Sequence, residues 1–234
     1  MATEDMNMDI IRARHAVRRY RETAIPEEIL KTLKDAAETV DKEGNLHIQL
    51  VTDEPRAFSG TMASYGKFSG VRNYFIMAGK KSDDLDERIG YYGEQLVLLA
   101  QKLGLNTCWV GLTYKKVSDA YELGNGEKVV CCIAVGYGET QGVSHKTKTP
   151  EEVSNVSGST PDWFRRGVEA ALLAPSAINQ QKFYIEYLGK ESGALPRVSI
   201  RTKGLSLAGY TQLDKGIARL HFEIGAGKEN FVWA

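Results

Sequence analysis

Two polar stretches of this sequence could bind an anionic or flat ligand. The first is a dense group of arginines between Arg12 and Arg21, with His15 among them. Because arginine presents a planar fork of donors that matches phosphate oxygens, several together could hold a phosphate dianion. Two other interpretations stay open. One is a solvated helix face paired with Glu22, Glu27 and Glu28; the other is a nucleic-acid groove, which the lack of interleaved aromatic residues disfavours.

The second polar stretch follows an apolar helical run that Pro175 ends. Helix interiors do not tolerate proline, so the helix should stop near Ala174 and leave the amides that follow it free to bind a ligand. The residues concerned include Ser176, Asn179 and Gln181. Residues 184–188 then alternate like a strand, so an ordinary helix-to-strand turn is the competing interpretation.

Composition limits the class of protein. A chain of 234 residues is long enough for one large domain or two small ones. Its 30 basic and 30 acidic residues cancel, which argues against a surface tuned throughout for nucleic acid or an anionic membrane. The stretch 1–9 is acidic without an apolar signal segment, and no run of apolar residues is long enough to span a bilayer. We therefore expect a soluble, cytoplasmic protein.

The cysteines and histidines of the chain do not predict a metal site. Cys108, Cys131 and Cys132 form no CxxC pair, and two adjacent cysteines on a strand point to opposite faces. We interpret all of them as reduced packing residues. His47 is interpreted as a strand residue rather than a ligand.

Hydrophobic periodicity predicts helices that alternate with strands. Helices are expected at 8–17, 29–40, 93–103 and 117–123 and in the run that ends near 174, and strands at 47–52, 71–78, 108–112, 128–137 and 184–188. The helix at 93–103 is apolar on nearly every side, so we expect other elements to cover it all round. Phe58, Tyr65 and Phe68 fall in a loop-rich segment, where they could line a pocket or pack on the sheet.

The order of these elements recurs after residues 154–160, a linker by its Ser, Gly and Asn content. One repeated feature is Asp35-Ala36-Ala37 followed by Asn45, which matches Glu169-Ala170-Ala171 followed by Asn179. The other is the run from Gly93 through Gly104 to Trp109, which matches the run from Gly216 through Gly227 to Trp233. We therefore predict two related halves, 1–156 and 157–234, packed about a pseudo-twofold axis like a dimer fused into one chain. A chance similarity of two helix-loop-strand units is the alternative.

Taken in order, the segments resemble the FMN-dependent nitroreductase family over nearly the whole chain. That family opens with an Arg-Arg-Ser-x-Arg type motif on the FMN phosphate, where this chain has Arg14-His15-Ala16-Val17-Arg18. Its Pro-Ser-x-x-Asn-x-Gln-Pro-Trp motif, supplied by the partner subunit of a dimer, matches Pro175-Ser176-Ala177-Ile178-Asn179-Gln180-Gln181-Lys182-Phe183. Trp109-Val110-Gly111-Leu112 is similar to a glycine segment on the isoalloxazine ring, and Lys146-Thr147-Lys148 to a late Lys-x-Arg on the phosphate.

The resemblance implies an α+β fold, a nitroreductase-like three-layer α/β/α arrangement with mostly antiparallel sheets, and an FMN cofactor. The cofactor contacts it implies are Arg14, His15, Ala16, Arg18, Trp109, Val110, Gly111, Lys146, Lys148, Pro175, Ser176, Ala177, Asn179 and Gln181. Within this set, Arg18 would serve the flavin N1–C2 edge or the phosphate, the amides of Val110 and Gly111 would serve N5, and Asn179 with Gln181 would serve the ribityl chain.

The chain departs from the family motifs at three places. Ala16 replaces a hydroxyl, Lys148 replaces a forked arginine, and Lys182-Phe183 replaces Pro-Trp. Each lost hydrogen bond to a charged group costs about 1.5–3 kcal/mol, so FMN binding should weaken without vanishing while several cations remain.

The resemblance also implies an activity. NAD(P)H would reduce the flavin, and the flavin would pass electrons to a nitro compound, a quinone or a similar flat acceptor. A flavin-dependent dehalogenase is not separable from these, and a flavin-binding carrier or sensor without useful turnover is the alternative. Only the first half keeps the arginines and only the second keeps the Pro175 loop, so we expect one FMN per chain. We expect a small-molecule substrate, no nucleic-acid or membrane partner, and a monomer, with a homodimer as the alternative.

Overall fold

The computed structural model describes residues 6–206 and 209–234. The helices are α1 (Met8–Ala13), α2 (Glu27–Gly44), α3 (Thr61–Tyr65), α4 (Leu85–Lys102), α5 (Pro150–Val153), α6 (Asp162–Leu172) and α7 (Thr211–Ala226). The strands are β1 (His47–Val51), β2 (Asn73–Lys80), β3 (Asn106–Val110), β4 (Glu127–Gly136), β5 (Phe183–Gly189), β6 (Arg197–Thr202) and β7 (Val232–Trp233). Short 3-10 turns occur at Arg56–Phe58, Ala177–Asn179 and Lys228–Asn230.

Local sequence explains where several elements start and end. Asn7 caps α1, since its side-chain oxygen accepts the N–H groups of Asp9 and Ile10. Pro26 lies directly before α2. Proline is tolerated there because the N–H groups at the start of a helix have no intrahelical partner, so the missing N–H of proline costs no hydrogen bond. Asn45 ends α2 in the left-handed conformation, with φ of 47°, which asparagine tolerates better than most residues.

The larger sheet holds the first half together. Its strand order is β1-β2-β4-β3, and every neighbouring pair is antiparallel. The chain after α1 continues its β3 edge, because Ala16 forms a parallel bridge with Thr107 and the N–H of Val17 donates to the Thr107 carbonyl at 3.0 Å. This pairing holds the arginine segment against β3.

The smaller sheet belongs to the second half. Its order is β5-β6-β7, with β5 and β6 antiparallel and β6 and β7 parallel. Phe183 and Ile185 of β5 are buried in the core, while the residues between and beside them face outward. One face of this sheet therefore packs on α6 and α7, and the other meets solvent.

The same order of elements occurs in both halves. Apart from α1, the short helices α3 and α5 and the strand β4, the first half runs α2, β1, β2, α4, β3, and the second runs α6, β5, β6, α7, β7. In the described part of the second half no strand corresponds to β4, and β7 pairs directly with β6. Asn45, which follows α2, and Asn179, in the loop after α6, both have positive φ.

Helices α4 and α7 form the centre of the molecule and pack closely on each other. A Cβ atom on Gly90 would lie 2.0 Å from the carbonyl oxygen of Leu213, and one on Gly216 would lie 2.0 Å from that of Glu87. The glycine of each helix thus lies against a backbone carbonyl of the other helix. That carbonyl belongs to the residue three positions before the other helix's own glycine. Such a reciprocal contact is typical of a twofold interface.

The structure differs from the sequence-based expectations at several places. The first helix ends at Ala13 rather than near Val17, because Arg14 is extended and the chain turns to pair with Thr107. Residues 117–123 form turns and no helix. The helix expected at 29–40 extends further at both ends, since α2 runs from Glu27 through Gly44.

The aromatic residues of the loop-rich segment separate into two groups. Phe58 and Phe68 are buried and pack edge to face, with ring centroids 5.1 Å apart, in a cluster on the outer side of the larger sheet. Tyr65 is 84% exposed. The first two residues therefore pack on the sheet, which was one of the two interpretations left open.

No helix among residues 6–206 and 209–234 combines the length and apolar character needed to cross a bilayer.

Candidate functional site

A cavity lies where the segment after α1, β3, the loop after α6 and the start of α7 meet. It encloses about 690 Å³ of empty space, part of which is open to solvent. Residues of both halves line it: Arg14, Ala16, Arg18, Thr107, Cys108, Trp109, Val110, Gly111, Cys131, Pro175, Ser176, Ala177, Ile178, Tyr210, Leu213, Asp214 and Ile217. The arginine segment, the Trp109–Gly111 segment and the Pro175 loop are distant in sequence and meet here.

Arg14 is the buried cation of this cavity. It is 4% exposed, and its Nε has no hydrogen-bond partner in the described part of the chain. The nearest carboxylate, that of Glu94, is 3.8 Å from Nε. Burial lowers the pKa of the guanidinium, an effect that Glu94 opposes. A buried guanidinium with an unsatisfied donor beside a cavity favours the binding of an anion there.

Glu94 links the cavity wall to the central helices. Its Oε2 accepts a hydrogen bond from Trp109 Nε1 at 2.8 Å, and its Oε1 lies 2.9 Å from Nε2 of His221. The Nδ1 of the same ring lies 3.2 Å from the carbonyl oxygen of Ala170. This buried network fixes Trp109 and the helices α4 and α7 relative to one another, below Arg14.

The loop after α6 has an unusual backbone. Ile178, Asn179 and Gln181 have positive φ values of 47°, 56° and 44°. Such values are uncommon outside glycine and are a genuine outlier for a β-branched residue such as isoleucine. The loop keeps this shape because the side-chain oxygen of Ser176 accepts the N–H of Gln181 at 3.0 Å and α7 supplies further hydrogen bonds.

Asp214, in the first turn of α7, supplies those bonds. Its two carboxylate oxygens accept the N–H of Ala177 at 3.0 Å and the Nε2 of Gln180 at 2.7 Å. Burial raises the pKa of Asp214 from 3.8 to about 6, although both hydrogen bonds favour its ionised form. A buried carboxylate therefore fixes the loop and borders the cavity.

The amides of Asn179 and Gln181 are used inside the protein. Both donate at 2.8 Å to the carbonyl oxygen of Lys146, and the Gln181 side-chain oxygen accepts the N–H of Lys148 at 2.9 Å. The Lys148 ammonium group donates to the carbonyl oxygens of Gln180 and Gln181 at 3.0 and 2.7 Å. These bonds join the loop to residues 146–148.

The structure brings most of the sequence-predicted site residues together and leaves some apart. On the cavity wall are Arg14, Ala16, Arg18, Trp109, Val110, Gly111, Pro175, Ser176 and Ala177. Off the wall are His15, Lys146, Lys148, Asn179 and Gln181. The positive φ values turn the two amides toward residues 146–148, so they shape the loop, and Lys148 lines a separate hollow with Glu152, Lys182 and Lys203.

Sequence reasoning missed several residues of the site. Tyr210 lies against Gly111, where a Cβ atom would come within 2.6 Å of the Tyr210 hydroxyl, so only glycine allows this approach. Asp214 was missed as well, as were Glu94 and His221 beneath the cavity. A sequence signal existed for Glu94 and His221, because each is a titratable residue close to apolar residues of a helix, whereas Asp214 lies between the polar residues Gln212 and Lys215 and gives no such signal.

The cysteines and acidic groups give no sign of metal chemistry. No group of three or more His, Cys, Asp or Glu side chains suited to a metal ion occurs in residues 6–206 and 209–234. Cys108 and Cys131 border the cavity but are buried and unpaired. Burial raises the pKa of the Cys108 thiol, which keeps it protonated and unreactive.

Comparison with known proteins identifies the family. A family model described as "Putative TM nitroreductase" matches residues 7–226, so the chain belongs to the nitroreductase family. A crystal structure of a "putative nitroreductase" from Thermotoga maritima MSB8 is similar at 23% identity, with a TM-score of 0.66, over 96% of this chain and 85% of that one.

A second solved structure, from Desulfovibrio desulfuricans, is described as a "putative nitroreductase in complex with FMN". It shares 16% identity with a TM-score of 0.50, over 66% of this chain and 97% of that one. None of the curated sequences compared with the chain matches it. The structural likenesses confirm the predicted α+β, nitroreductase-like fold.

Proposed function

We propose that the chain is an FMN-dependent oxidoreductase. It would take hydride from NAD(P)H and reduce a nitro compound, a quinone or a similar flat acceptor. The observation that carries the proposal is the single cavity in which Arg14–Arg18, Trp109–Gly111 and Pro175–Ala177 meet. Membership of the nitroreductase family supports it, as does the FMN named for the Desulfovibrio protein.

The residues of the cavity suit FMN. The unsatisfied Nε of the buried Arg14 suits the phosphate or another anionic part of the cofactor. The exposed guanidinium of Arg18 supplies a second positive charge, which favours the extra negative charge of a reduced flavin. When bound, FMN would supply the redox chemistry. The protein would bind it, orient it and restrict access of water.

Each half contributes a different part of this arrangement. Arg14 and Trp109 come from the first half, whereas Ser176 and Asp214 come from the second. Asp214 holds the loop through the N–H of Ala177, and the Glu94 network holds Trp109 in place. The site residues would therefore be positioned before the cofactor binds, which lowers the cost of binding.

We also propose that the halves are related by duplication and that one chain binds one FMN. The matching order of elements and the reciprocal contacts of Gly90 and Gly216 support a relation between the halves. In the first half, α2 continues helically to Gly44 where the second half has the Pro175 loop. A second site in the same chain would lack that loop. Because the two halves of one chain already build the one site, no partner chain is needed, and the proposal also favours a monomer in solution.

Anaerobic reduction tests the proposed activity. We expect the FMN-loaded chain to lose its visible flavin absorption with NADPH or NADH and to regain it with a nitroaromatic compound or a quinone. A bound flavin that neither nicotinamide bleaches would contradict turnover and would favour the alternative of a flavin carrier or sensor.

A further inference from the structure

Three lysines gather beside the loop that borders the cavity. Lys148, Lys182 and Lys203, together with Glu152, line a hollow of about 570 Å³ of empty space, including its solvent-open part. None of these residues lines the cavity described above. Lys148 and Lys182 are also two of the positions at which the chain departs from the motifs it resembles, and the fold brings the two departures together.

The register of the smaller sheet places two of these lysines opposite each other. Phe183 pairs with Thr202 in the antiparallel β5–β6 ladder, and the N–H of Lys203 donates to the carbonyl oxygen of Lys182 at 3.0 Å. Like charges directly opposite on one sheet face destabilise the pair. A bound anion would remove this penalty.

Among the described residues that line the hollow, Glu152 alone has a carboxylate, and that group is already engaged. Glu152 accepts the N–H of Thr149 at 2.8 Å to cap α5. The Lys203 ammonium donates at 2.9 Å to the Glu152 carbonyl oxygen, and it lies 4.9 Å from the ring centre of Tyr184. The Lys182 ammonium makes no hydrogen bond or ion pair in the described part of the chain. The hollow therefore keeps an excess of positive charge.

The lysine ammonium groups influence one another. Burial lowers the pKa of Lys148, Glu152 opposes this effect, and Lys203 and Lys182 lower the pKa further. Arg201 adds a fourth cation on the same outward face, with its guanidinium carbon 4.7 Å from the Tyr184 ring centre. Several ammonium groups on a rigid sheet, with a planar guanidinium beside them, match a compact dianion such as phosphate.

The hollow lies within reach of the cavity. Ile178 lines the cavity, and Lys182 follows it by four residues, so their Cα atoms are at most about 14 Å apart. The Lys148 ammonium binds the carbonyl oxygens of Gln180 and Gln181, which lie between them. A dinucleotide whose nicotinamide ring enters the cavity can extend over this distance along the loop.

We propose that Lys148, Lys182 and Lys203 form a binding site for a phosphate dianion, and that this dianion is the 2′-phosphate of NADPH. The choice of NADPH rests on the proposed function, whereas the phosphate site itself does not. The site would make the chain select NADPH over NADH as its reductant. Hydride transfer would remain in the cavity, and the lysines would act only in binding.

Equilibrium binding tests the phosphate site without turnover. The probes are 2′,5′-ADP and 5′-AMP, which differ in the 2′-phosphate, titrated by calorimetry into the FMN-loaded full chain. We expect 2′,5′-ADP to bind about tenfold more tightly, the effect of one charged hydrogen-bonding partner. The preference for 2′,5′-ADP should disappear in Lys182→Ala, and the substitution breaks no hydrogen bond or ion pair among the described residues. The preference should persist in the control Lys190→Ala, because Lys190 is exposed and lies beyond the other end of β5.

Kinetics then tests the link to the reductant. In Lys182→Ala, KM for NADPH should rise about tenfold while KM for NADH and kcat stay unchanged. Equal binding of 2′,5′-ADP and 5′-AMP to the wild-type chain, together with no binding of inorganic phosphate, would overturn the site. Binding of inorganic phosphate without a preference for 2′,5′-ADP would overturn the assignment to NADPH. If no nicotinamide reduces the flavin, the proposed function fails, and the calorimetry still decides the phosphate site.

Discussion

At the scale of single residues, Arg14 and Asp214 are the charged groups that the fold buries at the cavity wall. One supplies a cation with an unsatisfied donor and the other a carboxylate that fixes a loop. Burying such groups is costly unless a partner compensates them. The partner of Asp214 is visible in the Pro175 loop, whereas the full partner of Arg14 would be an anionic ligand.

Replacing Arg14 tests its part in binding FMN. We expect Arg14→Met to raise the Kd for FMN by about 10- to 150-fold, because a charged hydrogen bond of about 1.5–3 kcal/mol is lost. The matched control is Arg12→Met, since the Arg12 side chain is exposed and, among the described residues, pairs with Asp9. Quenching of flavin fluorescence measures both. Equal affinities of the two variants would show that Arg14 does not contact the cofactor.

Asp214 should make stability depend on pH. Below pH 3.8 its carboxyl is protonated in both the folded and the unfolded chain; between 3.8 and about 6 only the folded chain keeps the proton. The free energy of unfolding therefore falls as the pH rises through this window.

The variant Asp214→Asn lacks this titration. We expect the stability of the wild-type chain relative to the variant to fall by about 2 kcal/mol between pH 4 and pH 6.5 and to level off above that window. Urea denaturation at a series of pH values measures it. A difference that stays constant across the window would mean that Asp214 titrates at its ordinary pKa.

At the scale of elements, two features set the geometry of the site: the close packing of α4 on α7 and the strained loop after α6. The helix packing places Asp214 at the cavity wall and the Glu94 network beneath it. The loop carries Ser176 and Ala177 to its rim. A change in either element should therefore alter the site without touching a ligand.

The helix contact leaves no room for a methyl group. We expect Gly90→Ala to lower the free energy of unfolding by about 1–3 kcal/mol or more, because its Cβ would meet the backbone of Leu213, which cannot move aside. Gly158→Ala is the control, since a Cβ atom there meets nothing within 4 Å. Thermal or urea unfolding compares the two. Equal stabilities would show that the helices can separate at little cost.

The loop holds an isoleucine in a conformation that asparagine adopts more readily. Ile178 is 81% exposed, so its replacement loses little buried area. We expect Ile178→Asn to raise the free energy of unfolding by about 1 kcal/mol through relief of backbone strain. Urea denaturation measures the change. A loss of stability would mean that the Ile178 side chain contributes packing that outweighs the strain.

At the scale of the whole molecule, the fold class and the main parts of the cavity could be predicted from short motifs and periodicity. The apolar run at 93–103 identified the central helix, and Pro175 marked the end of α6. Arg14, Trp109 and Ser176, which belong to three different sequence motifs, line one cavity. The relation between the two halves stays a prediction.

Other features depend on contacts between distant segments. Arg14 is extended because the chain after it pairs with Thr107, a partner that the local sequence does not indicate. The amides of Asn179 and Gln181 turn away from the cavity because of positive φ values that neither residue type requires. Tyr210, at the N-terminal end of α7, reaches the site because the fold brings it against Gly111, which is distant in sequence. Periodicity within one segment carries none of this information.

The number of FMN molecules bound per chain tests the central claim most directly. Equilibrium dialysis of the purified full chain against FMN, with flavin and protein measured separately, gives this number. We expect one FMN per chain, bound in the cavity that both halves build, with the visible spectrum of a protein-bound flavin. A chain that binds no FMN, or one that binds two, would contradict the account.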